Sequence, residues 1–248
     1  MQTFCIIIPC FNEALRLDTE QIEKYLAQGQ GAMLVFVNDG STDNTHELLH
    51  ALRVRHPERI CMLDLDSNSG KAEAVRQGML FALREIKPAF AGYMDADLAT
   101  PFGEMDRLFS YLETHETFKV VFGSRVKRLG SHIRRTPARH YLGRILATFI
   151  SILLRLPVYD SQCGAKALTA AKAEALFREE FITSWLFDVE LLYRHKVLYG
   201  TENTLQEVYE YPLYEWTESR GSKIRFIHLL AIPINIARIY TYYKKKRY

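Results

Sequence analysis

Short apolar runs and amphipathic runs alternate along the first half of the chain. Runs rich in β-branched and aromatic residues predict buried strands over residues 4–8, 33–37, 59–63, 89–94 and 118–122. Four helices are predicted between them: one from Asp18 or Thr19 to residue 28, one capped by Thr42 or Asp43, one over residues 69–86, and one opened by Thr100 and Pro101. This alternation predicts an α/β protein with a doubly wound, mostly parallel, Rossmann-like sheet, which binds ligands at the carboxyl ends of its strands.

Two longer apolar stretches follow residue 123. The first runs from residue 136 to residue 156 with apolar side chains at helical spacing, and the second covers the 18 residues 226–243. The second contains Pro233 and Arg238, and an Arg near the bilayer centre costs at least about 2.5–3.5 kcal/mol. C-terminal amphipathic helices at a membrane interface are therefore expected rather than a spanning helix. We predict a catalytic domain over residues 1–222, with halves 1–123 and 124–222, and a membrane-associating segment over 223–248.

Charge is distributed unevenly along the chain, although the formal net charge is only +3. Residues 117–159 contain nine Lys and Arg and no acid, and residues 219–248 contain eight Lys and Arg and no acid. All 29 Asp and Glu therefore lie in the remaining chain with 15 basic residues. Two basic tracts on an acidic body predict an anionic partner: a phosphate group, a membrane surface or a nucleic acid.

The cysteines and the N-terminus favour a reducing compartment. Cys5, Cys10, Cys61 and Cys163 form no CxxC pair, so neither a disulfide framework nor a zinc site is predicted. The first residues include no basic stretch followed by an apolar leader, so we expect no signal peptide and a catalytic site that faces the cytoplasm.

The sharpest chemical feature is the pair Asp95 and Asp97, directly after the fourth predicted strand. In an extended segment these side chains point the same way, so two carboxylates are placed to bind one hard divalent cation. Two acids in a turn also occur by chance. Polar loops after the first three strands, residues 9–13, 38–43 and 68–71, fall at the same predicted sheet edge and strengthen the interpretation. Each loop taken singly is equally compatible with ordinary turn and cap chemistry.

Two common nucleotide motifs are absent around Lys71. A P-loop needs a Gly five residues before Gly70 and a Ser or Thr after the lysine, but Leu65 and Ala72 stand there. The chain also has no GxGxxG sequence after its first strand. The sequence thus excludes a P-loop NTPase and a dinucleotide-binding enzyme.

The polar loops together resemble those of family 2 glycosyltransferases, which have the nucleotide-sugar-binding GT-A fold. The matching motifs of the first half are PCFNE at 9–13, NDGSTD at 38–43, NSGKAEA at 68–74 and DAD at 95–97. In the second half, GSR at 123–125, DSQCGAK at 160–166, WLFDVELL at 185–192 and RGSK at 220–223 are similar to the dolichyl-phosphate β-glucosyltransferase branch. The resemblance covers nearly the whole chain; DAD alone is a weak signal, and the set of eight is a specific one.

The resemblance implies roles for the donor half. Pro9, Phe11 and Glu13 would line the nucleoside pocket and Asp39 would hydrogen-bond the base. Lys71 and Asp95 would lie near ribose and phosphate. Asp97, with Asp95, would hold Mg²⁺ or Mn²⁺ against the diphosphate. Two departures stand out: Asn38 replaces the commoner Asp, and Ala99 stands where the mannosyl branch carries a Gln, which favours UDP-glucose over GDP-mannose.

The implied reaction is an inverting transfer of a hexose, with glucose from UDP-glucose preferred, to a polyprenyl phosphate. The metal and Lys71 would stabilise the charge on the UDP leaving group. A phosphomonoester acceptor is mostly dianionic at pH 7 and needs no strong base. If the acceptor were instead a glycan hydroxyl, Asp188 or Glu190 would be the candidate base; the alternative for both is a helix face that positions the acceptor pocket.

The acceptor half carries the candidate phosphate ligands. Guanidinium groups suit phosphate, and the candidates are Arg125, also counted as catalytic, with Arg134, Arg135, Arg139, Gln162, Arg220 and Lys223. Cys163 is expected to shape the pocket rather than act as a nucleophile. The apolar helices would place the enzyme peripherally on an anionic membrane at its cytoplasmic face; a homo-oligomer interface or core packing is the other use of those faces. A non-catalytic polyanion binder is a distant alternative, and we expect no nucleic-acid partner because no nucleic-acid motif accompanies the basic tracts.

Overall fold

The computed structural model describes residues 3–28, 31–134, 136–218 and 226–245, and the side chains of residues 137–142 and 226–233 lie outside that description. The strands are β1 (Phe4–Cys10), β2 (Met33–Asp39), β3 (Ile60–Leu65), β4 (Phe90–Tyr93), β5 (Val120–Ser124), β6 (His132–Arg134), β7 (Lys166–Thr169), β8 (Val208–Pro212) and β9 (Glu215–Thr217). The helices are α1 (Thr19–Ala27), α2 (Thr45–Arg55), α3 (Lys71–Phe81), α4 (Phe102–Thr114), α5 (Pro137–Leu154), α6 (Ala170–Phe177), α7 (Phe187–Glu207) and α8 (Phe226–Lys245). A π-helical turn, Ala82–Ile86, extends α3, and Gly200 interrupts α7 with φ +86°.

Seven strands form one sheet in the order β3-β2-β1-β4-β7-β5-β8. All neighbours pair in parallel except β7, which runs antiparallel to both β4 and β5. The predicted α/β class and the mostly parallel sheet are thereby confirmed. The short strands β6 and β9 form a separate parallel pair beside it.

Apolar layers cover both faces of the large sheet because its inner strands are buried on both sides. Helix α4 packs on one face and α3 with α6 on the other. A third cluster joins α5, α7 and α8 near the β5 end of the sheet through Ile150, Leu154, Leu192, Ile236 and Ile239. The C-terminal helix is thus packed against α5 and α7 through one of its faces.

Most element starts follow the sequence signals. The Asp18 carboxylate accepts a hydrogen bond from the Gln21 amide and caps α1, and Pro137 stands in the first turn of α5 after Thr136. Asp43, one of the two predicted caps of the second helix, accepts hydrogen bonds from the Thr45 amide and hydroxyl; α2 itself runs from Thr45, with Asn44 at the cap position. Among the described residues, none of the helices is both long enough and apolar enough to cross a bilayer.

Candidate active site

Four loops meet where β1, β2, β3 and β4 end. Parallel pairing aligns Cys10 with Asn38 and Asn38 with Asp64, so the polar residues that follow these strands share one sheet edge. The loop after β4 contributes Asp95 and Asp97. The sequence prediction that these loops converge is borne out by the geometry of the edge.

Asp39 holds the loop that leads into α3. Its two carboxylate oxygens accept hydrogen bonds from the backbone amides of Ser69 (2.7 Å) and Gly70 (2.9 Å). Gly70 adopts φ +87° at the start of the helix, a conformation that glycine takes without strain. Burial raises the pKa of Asp39, and the two amide donors oppose that shift. Asp39 therefore fixes the position from which Lys71 extends.

Lys71 and Asp95 form an ion pair at the centre of the edge. The Lys71 ammonium lies 2.5 Å from Asp95 Oδ1 and 5.5 Å from the centre of the Phe187 ring. Burial disfavours its charge, but the carboxylates of Asp95, Asp188 and Asp97 together raise the pKa of Lys71 to about 12. Lys71 stays protonated at neutral pH, so the edge combines one fixed cation with several acids.

Asp97 is held by the turn that follows β4. Its Oδ1 accepts from the Ala99 amide (3.1 Å), and its Oδ2 lies 3.8 Å from the Arg16 guanidinium. Leu98, inside the turn, has φ +49°, a left-handed conformation that is uncommon for a branched side chain. Arg16 also lies 3.5 Å from Glu13, so the β1 loop and the β4 turn are linked by charge.

The Asp95 and Asp97 carboxylates can bind a hard divalent cation, because they offer oxygen ligands and are accessible to solvent. Their side chains are 41% and 22% exposed, and oxygen ligands are those that Mg²⁺ and Mn²⁺ prefer. Within the described ranges, no group of three or more His, Cys, Asp or Glu side chains gathers as a metal site. The two acids fit a cation that draws its remaining ligands from substrate or water.

Gly164 packs directly against Asp95. A Cβ on Gly164 would lie 2.1 Å from Asp95 Oδ2, closer than any real contact, so only glycine leaves this carboxylate where it is. Gly164 belongs to the 160–164 segment, which leads into β7. The antiparallel strand β7 thus brings the 160–164 segment, from the second half of the chain, next to Asp95.

Arg125 is fixed by Asp160 in a two-pronged ion pair. Its Nε and one Nη each lie 2.7 Å from Asp160 oxygens, and its backbone amide donates to the same carboxylate. Burial opposes the charge, but Asp160 raises the pKa of Arg125 further above its ordinary value. The guanidinium also lies 5.3 Å from the centre of the Trp216 ring. Arg125 is consequently oriented and largely charge-compensated.

A cleft opens beside this ion pair, between α5 and the 159–162 segment. Arg125, Arg144, Tyr159 and Gln162 are among its lining residues. The Arg125 guanidinium donates to the Gln162 carbonyl (3.2 Å), so the predicted acceptor residues Arg125 and Gln162 do come together. Cys163, next in the chain, is fully buried, and that burial raises the pKa of its thiol to about 11.

Asp188 lies in a buried ionic cluster beneath the edge. Its Oδ1 accepts from the Lys166 ammonium (2.6 Å) and from the Tyr93 hydroxyl (2.5 Å). The Lys166 side chain is completely buried and also donates to the Cys163 carbonyl. Asp188 is therefore committed to tying α7 to β4 and β7, which favours a positioning role over that of a base.

Glu190 is likewise committed within the fold. It accepts hydrogen bonds from the amides of Ile182 and Thr183 and from the Tyr243 hydroxyl, and it pairs with Arg194 at 3.2 Å. Its side chain is fully buried. Here too the location favours the alternative that α7 positions the acceptor pocket.

The remaining predicted residues are placed as follows. Pro9 and Phe11 are half-buried at the end of β1, and Arg134 is exposed on β6. Arg135, Arg220 and Lys223 lie outside the described residues; Arg139 lies in α5, but its side chain is outside the description. Their predicted roles in phosphate binding stay predictions.

Sequence reasoning missed several side chains that organise the site. Arg16 bridges Glu13 and Asp97, and Asp160 and Lys166 hold Arg125 and Asp188. Asp160, Gly164 and Lys166 stand in the DSQCGAK motif, so the motif marked the segment without showing its partners. Arg16 carried no sequence signal.

The mostly parallel sheet with an acid pair after its fourth strand is the arrangement expected for a GT-A fold, and solved structures share that fold. The chain superposes on glucosyl-3-phosphoglycerate synthase of Mycobacterium tuberculosis, in complex with Mn²⁺, UDP and phosphoglyceric acid, with a TM-score of 0.69. That match covers 98% of this chain and 78% of the other at 16% identity. A crystal of the same enzyme with Mg²⁺ and UDP gives a TM-score of 0.68.

The chain belongs to glycosyl transferase family 2, whose model matches residues 5–178. It is 31% identical to a dolichyl-phosphate β-glucosyltransferase of Trichomonas vaginalis over 96% of this chain and 71% of the relative. It is 32% identical to the dolichyl-phosphate β-glucosyltransferase of Drosophila melanogaster over 88% of this chain and 68% of the relative. The predicted resemblance is confirmed at the level of the family.

Proposed function

We propose that this protein is an inverting glucosyltransferase that moves glucose from UDP-glucose to a polyprenyl phosphate of the dolichyl or undecaprenyl type. The observation that carries the proposal is the arrangement of Lys71, Asp95 and Asp97 at the carboxyl edge of the sheet. Its relatives from Trichomonas vaginalis and Drosophila melanogaster are named for glucose transfer to dolichyl phosphate. The structurally similar synthase binds UDP with Mn²⁺.

The donor occupies the β1, β2 and β4 loops in this proposal. Pro9, Phe11 and Glu13 line the nucleoside pocket. Asp39 either hydrogen-bonds the base or holds the loop that precedes Lys71 in place. The Lys71 ammonium is placed to offset the negative charge that grows on UDP as the bond to the anomeric carbon breaks. Because Asp95 pairs with Lys71, donor binding must share or replace that contact.

Asp97, with Asp95, holds the divalent cation, Mg²⁺ or Mn²⁺. Bound there, the cation supplies Lewis-acid stabilisation of the diphosphate. The Ala99 amide and the Arg16 guanidinium orient Asp97 before any ligand arrives, so the side chain needs little rearrangement.

The acceptor approaches from the side of Arg125 and Gln162. A phosphate oxygen of the acceptor bonds to the anomeric carbon as the bond from that carbon to the UDP oxygen breaks, which inverts the configuration. The acceptor is mostly dianionic near pH 7, so no general base is required. This agrees with the burial of Asp188 and Glu190, which leaves neither of them facing a substrate hydroxyl.

The protein associates peripherally with an anionic membrane, at the cytoplasmic face. Four large apolar side chains on α5 are exposed: Ile145, Phe149, Ile152 and Leu153. Helix α8 adds exposed Ile234 and ends in exposed Lys244 and Lys245. Apolar side chains with basic neighbours and no acid over residues 117–159 match a lipid surface of negative charge.

Transfer is tested with purified protein, labelled UDP-glucose, a polyprenyl phosphate in detergent, and Mn²⁺ or Mg²⁺. We expect a lipid-linked glucose product that disappears with EDTA. Asp97→Asn should lower kcat by about 100-fold or more, because it weakens cation binding. Glu58→Gln, which removes an exposed acid just before β3 at the opposite edge of the sheet, should keep wild-type kinetics. Absence of a lipid product with any nucleotide sugar, or full activity of Asp97→Asn, contradicts the proposal.

A further inference from the structure

The cleft beside Arg125 contains a second guanidinium that the motifs do not point to. Arg144 lies on α5, stacks on the Tyr159 ring at 3.5 Å from its centre, and donates to the Tyr159 carbonyl (3.3 Å). Both residues line the cleft. Stacking and one carbonyl bond restrain the Arg144 plane, but they occupy only part of its five N–H donors.

The two arginines of the cleft differ in charge compensation. Arg125 is neutralised by Asp160 in a paired contact at 2.7 Å. Arg144 has no Asp or Glu oxygen within 4.0 Å among the residues that the structure describes. An incoming phosphate dianion therefore meets one arginine whose charge is already matched and one whose charge is available.

Glu210 on β8 holds both sides of this cleft in place. Its carboxylate accepts from the Tyr159 amide (2.8 Å) and from the Asp160 amide (2.5 Å). By holding Tyr159, Glu210 supports the ring on which Arg144 stacks. By holding Asp160, it supports the carboxylate that pairs with Arg125. One half-buried acid thus fixes the spacing of the two guanidinium groups before a ligand binds.

The position of Arg144 on α5 also gives an exit for a prenyl chain. Ala147 and Ile150 line the cleft on one side of Arg144, and the exposed Ile145, Phe149 and Ile152 lie on its other side, about 100° around the helix from Arg144. Arg144 therefore stands at the border between the cleft and the exposed apolar face. A phosphate in the cleft therefore places its hydrocarbon tail beside an exposed apolar face. In the other direction, the 160–164 segment connects the cleft to Asp95 through Gly164.

We propose that Arg144 binds the phosphate of the isoprenyl-phosphate acceptor, with Arg125 as the fixed second wall of the site and the exposed face of α5 as the track of the chain. The inference rests on the proposed function, since it names the acceptor subsite of that reaction. The proposal assigns binding of the acceptor to Arg144, a residue of α5 that belongs to none of the eight motifs.

The test compares Arg144→Gln with Arg155→Gln, which removes an exposed arginine just beyond the end of the same helix. With farnesyl phosphate as a detergent-soluble acceptor, Arg144→Gln should raise the acceptor KM by about 10- to 100-fold, the loss expected for a charge-assisted contact. The KM for UDP-glucose and the slow hydrolysis of UDP-glucose without acceptor should stay unchanged. Arg144→Lys should recover part of the affinity, and Arg155→Gln should match wild type.

Binding assays separate failure of this inference from failure of the proposed function. Farnesyl phosphate should raise the Tm of wild type and not of Arg144→Gln, whereas farnesol should shift neither. If wild type transfers no glucose but keeps this difference, the reaction is wrong and the subsite stands. An unchanged acceptor KM in Arg144→Gln, or a loss seen only with phosphatidylglycerol vesicles and not with farnesyl phosphate, overturns the proposal.

Discussion

At the scale of single residues, the site depends on a contact between Gly164 and Asp95. The Asp95 carboxylate is held from one side by the Lys71 ammonium and from the other by the Gly164 backbone. A side chain at Gly164 cannot be accommodated without moving the carboxylate, because the added carbon would overlap both Asp95 oxygens. Gly164 therefore acts on Asp95 by exclusion of volume, without contributing a polar group.

Gly164→Ala is accordingly expected to lower kcat strongly while it changes Tm little. The Asp95 carboxylate must retreat by about 1 Å, and a misplacement of that size costs about 100-fold in rate. Steady-state kinetics and thermal unfolding measure the two effects. Gly103→Ala is the control, since a Cβ there meets nothing within 4 Å: kcat should stay unchanged, and Tm should rise slightly because alanine favours the helix more than glycine does. Unchanged kcat in Gly164→Ala, or a collapse of Tm that parallels the rate, contradicts this role.

At the scale of elements, the sequence predicted what local patterns encode. The strands β1 to β5 follow continuous apolar runs, and the caps of α1 and α5 follow from Asp18 and Thr136 with Pro137. Strand β7 has four residues and begins with Lys166, a residue that is typical of exposed positions. Lys166 is buried only because Asp188, 22 residues later, reaches it across the fold. That pairing has no local signal.

The same distinction explains what could be predicted of the site. The polar loops at the sheet edge were predictable because parallel strands bring their carboxyl ends together. The pairs Arg125–Asp160 and Arg16–Asp97 join residues that are far apart in the chain, and nothing in their immediate neighbourhood specifies the partner. The candidate acids on α7 were recognisable by type, but the burial and the partners that favour a positioning role come from residues far apart in the chain.

Helix α8 is anchored to the catalytic body by a polar contact inside an apolar interface. The Tyr243 hydroxyl donates to Glu190 (2.9 Å) and accepts from Arg194 Nε (2.7 Å), while Ile236 and Ile239 pack around it. Arg194 also donates to the carbonyls of residues 176, 179 and 180, so the pair belongs to a larger buried network. Loss of the hydroxyl leaves charged groups short of a partner.

Tyr243→Phe is expected to destabilise the protein by about 2 kcal/mol, the usual loss for a buried hydrogen bond to a charged group. Urea unfolding measures the change, and hydrogen exchange of α8 amides should accelerate before the rest of the fold. Tyr240→Phe, on the exposed side of the same helix, should unfold like wild type. Equal stability of the two variants means that apolar packing alone holds α8.

At the scale of the whole molecule, the acid pair and the exposed apolar face of α5 lie on different elements. Asp39, Asp95 and Asp97 lie at the nucleotide edge, which is formed by the β1, β2 and β4 loops. The exposed apolar side chains of α5 and the basic end of α8 lie in the half that packs around β5. A soluble donor and a lipid acceptor can therefore approach from different sides, and the Arg125 cleft is lined in part by α5.

This separation predicts that membrane binding and donor binding can be altered independently. Ile145 and Ile152 are 69% and 72% exposed on α5, and replacing both with Ser should cost about 2 kcal/mol of interfacial binding, roughly 30-fold in partition. Sedimentation with phosphatidylglycerol vesicles measures the partition, and the KM for UDP-glucose should not change. Val54→Ser, 65% exposed on α2 beside β3 at the far end of the sheet, is the control. If the double variant sediments like wild type but loses an oligomer seen by light scattering, the α5 face joins two copies of the chain and does not contact lipid.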